Sequence, residues 1–165
     1  MKNTTATGLA LTLLLAAQAA AANDSERNSH QPRCRPLRGV IVDSQVSDGC
    51  TSPNGFCAAG TVDANQGFNG TTYFVMDGAV RGPATAPGTL ATSGLLTYTL
   101  RHGSLVVRES GLSGLRVGTD GYFAAFQQIQ SGTGRYEGAT GYLYVLGQAL
   151  PDHFEAEIQG ELCTR

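Results

Sequence analysis

From Phe154 to Leu162 the chain alternates. Phe154, Ala156, Ile158 and Leu162 fall on one parity, and Glu155, Glu157, Gln159 and Glu161 on the other. Successive side chains of a strand point to opposite faces, so this period of two predicts a strand with an apolar and an acidic face. Leu96, Tyr98 and Leu100 alternate likewise against Thr97 and Thr99, predicting a strand over Leu90 to Arg101. His102-Gly103 then reads as a tight turn into Ser104 to Ser110. Further β-rich runs are Leu37 to Ser44, Ala59 to Ala64, Thr71 to Arg81 (broken at Gly78), Tyr122 to Ile129 and Gly141 to Leu146. Gly82 to Gly88 carries two prolines and is a loop, and Gly111 to Gly118 is a kinked strand or a loop. No capped period of 3.6 residues follows residue 37. Short strands joined by glycine-rich turns predict an all-β sandwich or barrel.

The corner before the seventh of these runs is the densest in glycine: Gly132-Thr-Gly-Arg-Tyr-Glu-Gly-Ala-Thr-Gly141. Glycines so close together mark positive φ or close backbone approach, with one helical turn expected near Arg135 to Gly138. The Gly-x-Gly-x-x-x-Gly within it is not a dinucleotide fingerprint, because its third glycine comes one place late and no long helix follows. The segment resembles the Gly-Thr-Gly-(Lys/Arg)-Phe-x-Gly-Ala-x-Gly turn of the allene oxide cyclase-like and dirigent-like β-barrels, a calycin-type group. Beyond it the likeness is one of layout, over Leu37 to Cys163. It implies a small closed antiparallel barrel of about eight strands, a size whose interior is either filled or holds one small ligand. It also implies either ring closure guided by the shape of an apolar cavity, or the holding of a reactive intermediate for stereoselective coupling. The matched residues form a structural turn and transfer no catalytic set.

Met1 to Ala22 has a lysine, an apolar run from Leu9 and a tail of alanines, the pattern of a secretory signal peptide cleaved near Ala22. Its apolar core is too short for a membrane span, and no later segment approaches one. Residues 23–36 read as a flexible leader and 37–165 as a single domain, in a secreted or periplasmic protein. Lys2 is the only lysine, so its removal takes the net charge from −2 to −3 and leaves no lysine for Schiff-base or general-base chemistry. The lack of a basic stripe and of tryptophan argues against nucleic-acid binding. Arg33, Arg35 and Arg38 read as a solvated terminus.

The chain has four cysteines. An even number in an exported chain argues for two disulfides, with three pairings to choose from. Cys50 and Cys57 bound a turn-rich loop whose ends meet easily. Cys34 then pairs with Cys163, stapling the first strand to the last across the seam of a closed barrel. A zinc site fails on spacing: Cys-x-x-Cys is missing and His30, His102 and His153 are scattered. No metal or cofactor is expected.

Chemistry must therefore come from polar residues on strands: Asp43, Asp63, Tyr73, Asp77, Tyr98, Arg108, Glu109, Gln127, Tyr142 and Tyr144. Gly-x-Ser-x-Gly is missing, and Ser113 does not fit that pattern. Asp43, at the end of the first strand, and Asp77 lead as an acid–base pair, with Arg108 to stabilise a developing anion. Tyr73, Tyr98, Tyr142 and Tyr144 are the candidate ligand contacts if their faces look inward. Three readings stand: an exported barrel binding a small apolar molecule, a cyclase or isomerase, and a filled barrel serving as an extracellular interaction module. The volume of the lumen separates the third from the others. Pairing of barrels into a homo-oligomer is compatible with each.

Overall fold

The computed structural model describes residues 32–114 and 121–165. Eight strands follow one another as β1 (Arg33–Val46), β2 (Cys57–Ala64), β3 (Gly70–Arg81), β4 (Thr89–Leu100), β5 (Gly103–Gly114), β6 (Tyr122–Gly132), β7 (Thr140–Ala149) and β8 (Phe154–Thr164). Each pairs antiparallel with the next, and β8 pairs with β1 to close the barrel. Closure removes both free sheet edges, which would otherwise expose unpaired N–H and C=O groups.

The expected seam is present. Cys34 stands opposite Cys163 in the β1–β8 ladder and is bonded to it, and Cys50 is bonded to Cys57. Residues 33–36, read from sequence as leader, belong to β1. The ladder to β8 extends to Arg33↔Thr164, one pair beyond the disulfide, and holds them in the sheet. Gly111 to Gly114 continues β5, whereas the rest of that glycine-rich stretch, the signal peptide and the leader up to residue 31 lie outside the described residues.

Alternation decides what fills the interior. Leu37 and Ile41 of β1, Leu96 and Leu100 of β4, Leu105 and Val107 of β5, Leu143 and Val145 of β7 and Ile158 of β8 are all buried. One end of the barrel is plugged. Phe68, from the β2–β3 connection, packs edge-on against Tyr98 at 5.1 Å and Tyr136 at 5.9 Å. Tyr136 comes from the glycine corner, which forms a single 3-10 turn over Gly134–Tyr136. That corner lies against the β4–β5 turn: Arg135 N donates to the His102 carbonyl, and Thr133 N to that of Ser104. A Cβ on Gly134, whose φ is +59°, would sit 2.3 Å from the His102 oxygen, so only glycine fits.

A β-bulge in β3 between Met76 and Gly78 resets the parity of the strand. Met76 before it and Ala79 after it both face the lumen, while Asp77 is thrown outward.

Candidate functional site: a cup with a polar inner end

The end opposite the plug is open. A cavity of about 490 Å³ enters the barrel there. Ile41, Ala58, Phe74, Leu96, Val145 and Ala156 form its apolar walls, and Phe56, Phe123 and Phe154 stand at its rim. The rim aromatics meet edge-on, Phe56 with Phe154 at 5.9 Å and Phe123 with Phe154 at 6.3 Å. The Cys50–Cys57 loop carries Phe56 and is fastened to β3 by Met76 N donating to the Phe56 carbonyl and Ser52 Oγ to that of Met76. The short disulfide thus positions part of the rim.

Polar groups gather at the inner end. Tyr98, fully buried, donates its hydroxyl to Gln127 Oε1 at 2.7 Å, and Gln127 Nε2 donates to Glu109 Oε2 at 2.6 Å. Both hydrogen-bonding ends of the Gln127 amide are used, which fixes its orientation. Asp43 on β1 accepts a hydrogen bond from the Thr72 hydroxyl on β3. Gly60 makes room for that carboxylate, since a Cβ there would lie 2.5 Å from Asp43 Oδ1. Asp43, Glu109 and Gln127 all line the cavity.

Burial sets their acidities. Loss of water around Glu109 raises its pKa to about 7, against a lowering by the Gln127 hydrogen bond and with a further raise from the charge of Asp43. Burial also raises Asp43, opposed by the Thr72 hydrogen bond. Tyr98 is pushed well above the usual phenol range, chiefly by burial and then by the charge of Glu109. Two carboxyl groups therefore share a poorly hydrated space, and one of them changes charge near neutral pH.

Of the residues singled out from sequence, Asp43 faces the cup and Tyr98 lies beneath it, donating to Gln127. Asp77 and Arg108 are brought together, but on the outer surface. They form an ion pair, each side chain 40% exposed, and this contact, with a hydrogen bond from Ser93, holds Asp77 below its ordinary acidity range. They do not line the cavity. Tyr142 and Tyr144 also face out, in an external aromatic cluster with Phe126, and Tyr73 donates to the Gly49 carbonyl outside the barrel.

Glu109 and Gln127 count among the polar strand residues that the sequence offers, but not among its leading site candidates. The signal was parity: Glu109 follows Leu105 and Val107 at steps of two, and Gln127 follows Ala125. The same count places Arg108 outside. Among the described residues, the group closest to a metal-ligand arrangement is Cys34, Glu161 and Cys163, whose sulfurs are joined in the seam disulfide. None of the described helices is long and apolar enough to cross a membrane. Against protein-family profiles, curated proteins and solved structures, the chain finds no match.

Proposed function

We propose that this chain is an exported barrel of the allene oxide cyclase-like and dirigent-like type that binds one small apolar molecule in its cup. The observation that carries the reading is the cavity of about 490 Å³, lined mostly by apolar side chains with Asp43, Glu109 and Gln127 among its polar ones. Sites for small ligands commonly have this form, with apolar surface giving affinity and a few polar groups giving orientation. The two disulfides suit the oxidising compartment that export would supply. The resemblance of the glycine corner supports the family reading, and the cavity counts against a filled interaction module.

Binding of the neutral dye N-phenyl-1-naphthylamine tests the reading, with a double variant Ala58→Leu/Ala156→Leu that narrows the cup from two walls. Enhanced, saturable emission at one dye per barrel, lost in a variant with unchanged far-UV circular dichroism, supports it. No binding, or equal binding by both proteins, contradicts it.

A second reading, as a cyclase or isomerase, is favoured by one feature: Glu109 and Asp43 face the same apolar cup, and Glu109 can hold or release a proton near pH 7. In it Glu109 exchanges the proton, Gln127 and Tyr98 hold its carboxylate in place, and the walls fix the fold of the substrate.

A further inference from the structure

We infer that the cup selects a ligand that is a hydrophobic amine, its ammonium group seated between Glu109 and Asp43 and its apolar body lying along the barrel wall towards the phenylalanine rim. This rests on the reading of the cup as a ligand site and names the class of molecule it takes. The polar inner end has a one-sided chemistry. Gln127 has both amide ends engaged, and Tyr98 has given its only hydrogen to it. What remains there is acceptor capacity; the other polar side chains of the lining, Gln45, Asn54, Thr92 and Ser113, stand near the strand ends at the mouth. Among the described residues, no donor meets Glu109 Oε1 or Asp43 Oδ2, both carboxylates line the cavity, and neither oxygen is sealed away from it.

No lysine, arginine or histidine belongs to the described lining. The nearest arginine in sequence, Arg108, is turned outward to Asp77. Among the described residues a carboxylate or phosphate ligand would therefore meet two acids and no cation, which costs desolvation with nothing to repay it. A hydroxyl would satisfy one acceptor. An ammonium brings three donors and a charge that offsets the repulsion between the two carboxylates. Among the described residues, Asp43 on β1 and Tyr98 on β4 are the titratable groups facing Glu109: the charge of Asp43 raises Glu109, and that of Glu109 raises Tyr98. A bound cation offsets that cost. By reciprocity, each unit by which binding lowers the pKa of Glu109 corresponds to about a tenfold preference of the amine for the ionised over the protonated site.

Three naphthalenes that differ only in the head group test the inference: 1-naphthylmethylamine, 1-naphthalenemethanol and 1-naphthoate. The chain lacks tryptophan, so naphthalene emission is read without overlap from indole. At pH 8 the amine is expected to bind about tenfold or more tighter than the alcohol, and the naphthoate weakest. The preference should fade at pH 5.5, where Glu109 is neutral. Glu109→Gln should weaken the amine far more than the alcohol and so remove most of the gap between them, and Asp43→Asn should reduce the preference in part. Alcohol binding with no advantage for the amine, or naphthoate binding best, overturns the inference and leaves the apolar cup standing. Failure of all three to bind overturns both.

Discussion

Replacing Glu109 by glutamine keeps the shape of the side chain and an acceptor for Gln127 Nε2, but removes the charge. The folded pKa of Glu109 is about 7 against an ordinary value of 4.5. A carboxyl raised in this way favours the folded state fully below the ordinary value, and that contribution is lost as pH rises through 7. The gap of about 2.5 between the two values corresponds to at most about 3 kcal/mol at 1.36 kcal/mol per unit. Glu109 keeps some surface open to the cup, so water there screens it, and roughly 2 kcal/mol or less between pH 5 and pH 8 is the expected effect. Urea unfolding with disulfides intact, followed by circular dichroism at both pH values, measures it. The wild-type midpoint should fall by about 1 M from pH 5 to pH 8, that of Glu109→Gln should barely move, and the variant should be the more stable at pH 8. Parallel pH dependence in the two proteins, or a less stable variant at pH 8, would refute the placement of this carboxyl in a poorly hydrated lumen.

The seam disulfide closes a loop with a sequence separation of 129 residues, so Cys34→Ser/Cys163→Ser should lower unfolding free energy by about 5 kcal/mol while the β1–β8 ladder still closes the barrel. Denaturant curves and hydrogen exchange at β1 check this. Gly134→Ala should cost about 2 kcal/mol or more, because it combines a positive φ with a clash against the His102 carbonyl. Calorimetry reads it as a lowered Tm. Asp77→Asn and Arg108→Ala should leave both dye affinity and the unfolding midpoint unchanged, since the pair is solvated on the outer wall. A large loss of binding in either variant would return them to the site.

How far the sequence could be read depended on whether only one parity of a strand is apolar. In β8 the acids leave one apolar face, and Ala156 and Ile158 are buried as their alternation requires. In β4, Leu96, Tyr98 and Leu100 point inward for the same reason. In β7 both faces are apolar: Leu143 and Val145 are buried while Tyr142, Tyr144 and Leu146 are exposed, and composition alone offers no choice between them. The aromatic rings of β7 therefore lie on its outer face. In β3 the parity changes at the bulge, an event with no mark in the sequence beyond Gly78. The pairing of the cysteines was legible because the closed barrel brings its first and last strands together. The chain Tyr98–Gln127–Glu109 was not, because it joins three strands whose mutual register appears only on folding.

The chain has two methionines, Met1 and Met76, and Met76 lines the cup beside the phenylalanine rim. Its methyl group, labelled with carbon-13, is a single reporter of the lumen by nuclear magnetic resonance. Titration with 1-naphthalenemethanol should shift that signal upfield in step with the fluorescence binding curve, as a ring enters the cup. An unmoved Met76 methyl at saturating ligand would place the molecule elsewhere and contradict a luminal site.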